Sequence, residues 1–134
     1  MTNGRNVAHL LECLRHFGDP AKRRRYLELY DDSIVLHGYG LAPGIAAVRA
    51  HYEALWAAFP DVQIRTDEAF EAGDKVVSRF AVLGTHTGPF RGIAATGKHV
   101  QYDGITILRF AKGRCIERWS QTDRLSLMQQ LGRI

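Results

Sequence analysis

The hydrophobic period of this chain changes once, and that change limits the folds open to it. Up to Pro60 the apolar residues recur at helical spacing, whereas from Asp61 to about Gln121 they alternate. The clearest helix carries Ile45, Val48, Tyr52, Leu55, Trp56 and Phe59 on one stripe. It stops at Pro60, whose ring disfavours helical backbone in the residue before it. An earlier stripe of Val7, Leu10, Leu11, Leu14 and Phe17 runs into Gly18-Asp19-Pro20. Asp19 then reads as the N-cap and Pro20 as a first-turn residue of a second helix, bearing Lys22 to Arg25, Tyr26, Leu27 and Tyr30 and closed by Asp31 and Asp32. Ser33 to His37 reads as a short strand, and residues 37–44, with three glycines and Pro43, as a loop.

After Pro60 the alternation predicts strands from Val62 to Glu71, Lys75 to His86, His99 to Phe110 and Arg114 to about Gln121. Ala72-Gly73-Asp74 and Lys112-Gly113 supply turns, and a Gly-rich excursion spans Gly84 to Lys98. Asp123 caps a terminal helix with Leu125, Leu127, Met128 and Leu131, stopped by Gly132. Strands set apart in sequence from most helices predict an α+β chain on a mainly antiparallel curved sheet. At 134 residues, one domain over 1–134 is expected. A chain of that length buries about two thirds of its unfolded surface, so no disulfide or metal is needed to hold it.

The net charge of +4 invites a nucleic-acid reading until it is located. Lys22, Arg23, Arg24 and Arg25 are contiguous, and without them 14 basic residues face 14 acidic ones. A nucleic-acid surface draws cations from several segments and interleaves aromatics, so this run reads as one solvated face and no nucleic-acid partner is expected. Cys13 and Cys115 lack CxxC spacing and read as packing residues. No apolar run approaches the length of a bilayer span and no secretory h-region is visible, so a cytoplasmic protein without a membrane partner is expected.

Gly84-Thr-His-Thr-Gly-Pro-Phe-Arg-Gly-Ile-Ala-Ala-Thr-Gly-Lys98, then Asp103-Gly-Ile-Thr-Ile-Leu-Arg-Phe110, Gly113, Trp119 and the closing Gln130-Leu131-Gly132 resemble the SnoaL-like polyketide cyclases of the NTF2-like superfamily. The similarity starts at Trp56-Ala-Ala-Phe-Pro60 and departs from the family where Ala94-Ala95 replace a usual Pro-Pro pair. The resemblance implies an NTF2-like cone: three helices packed on a strongly curved, mainly antiparallel sheet that encloses an apolar pocket. It also implies a cofactor-free intramolecular aldol reaction, in which an aspartate takes a proton activated by two carbonyls and later protonates the new alkoxide. Aligned on Arg109, Gly113 and Gln130-Leu131-Gly132, the family's aspartate falls on Ser120, and its assisting Gln and His fall on Gly104 and Thr106. Limonene-type epoxide hydrolases of the same fold also place an acid at Ser120. Fold and chemistry are therefore separate expectations for this chain.

Strand parity says which side chains reach such a pocket. Val100, Tyr102, Gly104, Thr106, Leu108 and Phe110 share the more apolar face of their strand; Gln101, Asp103, Ile105, Ile107 and Arg109 share the other. The same register turns Arg118 and Ser120 inward and Trp119 and Gln121 outward, unless a bulge reverses it. Tyr102, Thr106, Arg118, Ser120, Trp56 and Phe80 are thus the expected ligand-binding residues, with core packing as the alternative. Three residues are candidates for acid-base roles: His86 in the GTHxG motif, Asp123 three residues past Ser120, and His37 beside Tyr39. Each has a structural alternative: a tie to the Gly-rich loop for His86, a helix N-cap for Asp123, and a strand end for His37.

No HExxH, CxxC, GxGxxG, P-loop or GxSxG pattern occurs, so neither a metal nor another cofactor is expected. Two functions remain. One is a cofactor-free acid-base cyclase or isomerase acting on an apolar, polyketide-like small molecule. The other is a non-catalytic small-molecule binder or interaction module on the same fold, which the serine at position 120 favours. A homodimer is expected from the resemblance, because the outer sheet face bearing Ile105, Ile107 and Trp119 is otherwise exposed apolar surface.

Overall fold

The computed structural model describes residues 4–134. Helix α1 (Arg5–Leu14) leads through a turn into a 3-10 helix (Arg23–Leu29), strand β1 (Tyr30–His37) and helix α2 (Ile45–Ala58). Strands β2 (Gln63–Ala72), β3 (Lys75–Thr85), β4 (His99–Ala111) and β5 (Arg114–Thr122) follow, and helix α3 (Arg124–Gln130) closes the chain. The five strands form one sheet in the order β1-β5-β4-β3-β2. All neighbours run antiparallel except β1, which joins the edge parallel to β5. The result is the α+β NTF2-like architecture, four helices on a curled five-stranded sheet.

The alternation dictates this arrangement. Along β4 every second residue from Val100 to Phe110 is buried and its neighbours face outward. Leu108 and Val76, which are register partners, are fully buried, as are Val7, Val48 and Trp56 on the helices above and Phe17 in the turn after α1. Burying a side chain of this size contributes about 1.5–3 kcal/mol, so the inner face is the main source of cohesion. The β4–β5 register shifts only between Arg109 and Phe110. Thr106 therefore faces Ser120 in register, and Arg118 and Ser120 point inward, as parity predicts.

The second predicted helix is corrected. Tyr26, Leu27, Leu29 and Tyr30 are buried while Arg24, Arg25 and Glu28 stay exposed, a pattern that a 3-10 turn satisfies as well as an α-helix. The chain tightens into a 3-10 turn over Arg23–Leu29 and is already extended at Tyr30, whose register partner is Cys115. Asp31 and Asp32, read as helix terminators, lie within β1 at a register shift between Tyr30 and Val35. Asp31 accepts hydrogen bonds from the Ser33 backbone N–H and hydroxyl at 3.0 and 2.6 Å, a local bonding habit of Asp that supports irregular backbone.

The basic run lies on the outer wall. Arg24 pairs with Glu53 of α2 at 3.0 Å, and the Arg23 guanidinium sits 5.4 Å from the Trp56 ring centroid. Gly88 seats the excursion between β3 and β4: a Cβ there would lie 2.2 Å from the Ala57 carbonyl oxygen, and the N–H groups of Thr87 and Gly88 both donate to the Ala58 carbonyl. Among the described residues, no helix is long and apolar enough to cross a membrane.

Candidate functional site

The sheet and the helices above it enclose a cavity of about 140 Å³ that opens to solvent at one end. Its walls come from α1 (Leu10, Leu14), α2 (Tyr52, Leu55), β3 (Phe80, Val82) and α3 (Leu127, Met128). In this largely apolar chamber the polar groups are few, and their chemistry is one-sided.

Arg118 is the central one. β5 turns it inward, and only 7% of it is exposed. Its Nε donates to Thr106 Oγ1 at 2.7 Å, and its Nη1 donates to the hydroxyls of Tyr26, Tyr30 and Tyr52 at 3.0, 2.5 and 3.0 Å. The 3-10 turn brings Tyr26 there, the start of β1 brings Tyr30, and the apolar stripe of α2 brings Tyr52. The three phenol oxygens also lie 2.5 to 3.2 Å from one another. Burial holds the Tyr26 and Tyr30 hydroxyls well above the ordinary phenol range, so they are neutral groups around a permanent cation.

Arg118 has no carboxylate partner. None of the ion pairs among the described residues includes it, and the same is true of Arg91 and Arg124, which also line the cavity. Among the described residues, no Asp or Glu lines the cavity. An unpaired buried ion costs several kcal/mol; here the hydroxyl oxygens of Thr106, Tyr26, Tyr30 and Tyr52 solvate it in place of a carboxylate.

His51 is the one histidine among the described residues that line the cavity. It stands on α2 at the cavity wall, with its ring centroid 4.7 Å from that of Tyr39 and 5.0 Å from that of Tyr52. Burial, and then the charges of Arg91, Arg118 and Arg124, lower its pKa to about 4. At neutral pH the imidazole is therefore uncharged and keeps a lone pair. The helical stripe pointed elsewhere, yet the signal was present: residue 51 is three past Val48 and four before Leu55, which places it on the same helix face.

Of the residues predicted from sequence, Phe80, Tyr102, Thr106 and Arg118 meet at the cavity. Ser120 is buried beside them and donates from Oγ to Thr106 Oγ1 at 2.9 Å, while Thr106 donates to the Trp119 carbonyl. The position of the family's aspartate thus braces the hydroxyl that holds Arg118. Gly104, the position of the family's Gln, lies under the Phe80 ring; a Cβ there would be 2.6 Å from Phe80 Cζ. Trp56 is fully buried beside Phe17 and Tyr52, outside the cavity wall.

The three acid-base candidates lie elsewhere. His86 Nδ1 accepts from the Thr96 backbone N–H at 3.2 Å, and its backbone pairs with Lys98 and Gly97, which ties the excursion to the sheet. His37 faces outward because Trp119 is its register partner: the rings stack at 5.5 Å, and Nε2 meets Glu117 at 2.8 Å. Asp123 caps α3 by accepting from the Ser126 N–H at 3.0 Å and borders a shallow outer groove with Asp67 and Asp103. Among the described residues, no group of three or more His, Cys, Asp or Glu is placed to hold a metal ion.

The family profile described as SnoaL-like polyketide cyclase matches residues 8–131. The chain belongs to this family. Its fold is similar to that of AclR, a proposed hydroxylase from Streptomyces galilaeus, at 25% identity over 99% of each chain with a TM-score of 0.87. TsrD from Streptomyces laurentii is 26% identical over 100% of both chains, with a TM-score of 0.85. IdmH from Streptomyces antibioticus, a proposed polyketide cyclase, is 26% identical over 95% of this chain and 96% of that one, with a TM-score of 0.72. No curated protein matches. This SnoaL-like chain carries Ser120 at the position where the resemblance puts a carboxylate, and Arg118, Tyr26, Tyr52 and His51 line its cavity.

Proposed function

We propose that this cavity takes an apolar, oxygenated, polyketide-like small molecule and catalyses a cofactor-free proton transfer on it, leading to cyclisation or isomerisation. The observation that carries this is Arg118: a buried guanidinium held by Tyr26, Tyr30, Tyr52 and Thr106, with no carboxylate in the cavity. A ligand carbonyl beside it gains charge-assisted hydrogen bonds, which strengthen as the oxygen becomes an enolate. His51 removes the proton from the carbon between two carbonyls. The electron pair moves onto the carbonyl oxygen facing Arg118; the enolate carbon then attacks a second carbonyl, and the imidazolium returns its proton to the new alkoxide. No atom is gained or lost.

The test needs no natural substrate. Exchange of the C2 proton of methyl 1-tetralone-2-carboxylate in deuterated buffer, followed by NMR, reads the abstraction step directly. The protein is expected to accelerate exchange, and His51→Gln to lower the rate by about a hundredfold. Exchange at the buffer rate while the ester is bound overturns catalysis. That outcome supports the second reading, a non-catalytic binder, which the placement of His86, His37 and Asp123 outside the cavity favours.

The same proposal includes a homodimer through the outer sheet face, where Ile105 is 53% exposed and Ile107 and Trp119 are each 37% exposed. Sedimentation equilibrium is expected to show a dimer that Ile107→Lys converts to monomer. A wild-type monomer contradicts it.

A further inference from the structure

Two more cations stand at the cavity wall, away from Arg118. Arg91 is at the tip of a small hairpin between β3 and β4, where Phe90 and Ile93 exchange backbone hydrogen bonds of 2.9 and 2.8 Å. Arg91 and Gly92 both have positive φ, 49° and 79°. Two successive left-handed residues form the turn that favours Asn-Gly, the same turn that Lys112 and Gly113 make between β4 and β5. The Arg91 guanidinium lies 5.4 Å from the Phe90 ring centroid. Arg124, the first residue of α3, lies over the Tyr39 ring at 5.0 Å and donates to the Gly38 carbonyl. Both are free of carboxylate partners among the described residues, and Tyr102 and His51 share the wall with them.

Arg118, which Thr106 holds, lines the same cavity, and Phe80, Val82 and Leu55 give that cavity apolar wall.

We propose that the ligand is a carboxylic acid, an extended apolar skeleton whose carboxylate is held by Arg91 and Arg124 while its carbonyl end reaches Arg118. This rests on the function proposed above and adds the substrate class. An acid entering here replaces the hydration of its carboxylate with two guanidinium forks of matching geometry, and its other end is thereby set in one direction along the cavity. A neutral ester of the same skeleton lacks that anchor.

The experiment is calorimetric titration with anthraquinone-2-carboxylate and with its methyl ester, in low salt and in 1 M salt. The acid is expected to bind about tenfold more tightly than the ester in low salt. That ratio is expected to fall to about twofold in high salt and in the Arg91→Gln/Arg124→Gln double variant, whose fold is checked by its melting curve. The salt series on the wild-type protein needs no variant and stands if the double variant fails to fold. Equal affinities for acid and ester overturn the carboxylate assignment and leave the cavity's function standing. A preference that survives in the double variant but vanishes in Arg118→Met also overturns it, by placing the acid at the deep end. Failure of both probes to bind overturns the proposed function as well.

Discussion

Replacing Arg118 with methionine separates a site from a structural strut. Methionine fills a comparable volume with a flexible apolar chain. The substitution removes the hydrogen bond of Nε to Thr106 and those of the two Nη1 protons, shared among Tyr26, Tyr30 and Tyr52, a gain largely offset by the desolvation of the guanidinium that makes them. That desolvation cost, several kcal/mol, is removed with them. No partner is orphaned. Tyr26, Tyr30 and Tyr52 already lie within 3.2 Å of one another and can each donate once and accept once. Thr106 keeps the Trp119 carbonyl and the Ser120 hydroxyl. The balance predicts an unliganded protein between unchanged and about 3 kcal/mol more stable, a melting temperature up to about 12 °C higher. Binding moves the other way. Calorimetric titration with the enolate of 2-phenylindane-1,3-dione is expected to show at least a thirtyfold loss of affinity, about 2 kcal/mol. Denaturant melts and titrations on the same preparation give both numbers. A variant that loses more than about 2 kcal/mol while keeping its affinity refutes the reasoning, because Arg118 is then holding the fold and not the ligand.

Further outcomes are expected. His51 titrates near 4 in the folded state against 6.5 in an unfolded chain, so it contributes stability above pH 6.5 that is lost as the pH falls toward 4, up to about 3 kcal/mol; urea melts of wild type and His51→Gln across pH 7 to 4 read the difference, and parallel curves contradict the assignment. Gly104→Gln restores the family's residue but drives Cβ to 2.6 Å from Phe80 Cζ and 2.9 Å from Thr122 Cγ2, so a loss of about 1–3 kcal/mol is expected in thermal melts, partly recovered by adding Phe80→Ala. His86→Ala removes the acceptor of the Thr96 N–H, and limited proteolysis is expected to cut within residues 87–97 faster while deuterium exchange into the keto ester stays at the wild-type rate.

The sheet and the inward set of the site were legible because period-two alternation is unambiguous wherever one face is buried. Tyr102, Thr106, Arg118 and Ser120 fell on the inner face by parity, and the register shift that threatened this lies beyond them, at Arg109 and Phe110. Tyr26 and Tyr30 were legible as apolar residues of a helix but not as ligands of Arg118. Their hydroxyls reach it where the chain tightens into a 3-10 turn and is extended again at Tyr30, which pairs with Cys115 of a strand distant in sequence. His51 lies outside the apolar stripe read on α2, although its spacing from Val48 and Leu55 puts it on the same helix face. The three acid-base candidates drew attention by chemistry alone. Cap geometry claims Asp123, a loop tie claims His86, and cross-strand stacking claims His37. Arg91 and Arg124 reach the cavity through the β3–β4 excursion and the docking of α3, contacts between segments distant in sequence that no local pattern encodes.

The central claim is that the Arg118 guanidinium meets a ligand oxygen inside the cavity. Selective 15N labelling of arginine reads it directly, through the Nε–H resonance assigned by its loss in Arg118→Met. Titration with the 2-phenylindane-1,3-dione enolate is expected to move that resonance along a saturable curve, with the parent hydrocarbon 2-phenylindane producing no comparable shift. Saturable binding of the enolate with the Arg118 resonance unmoved contradicts the account.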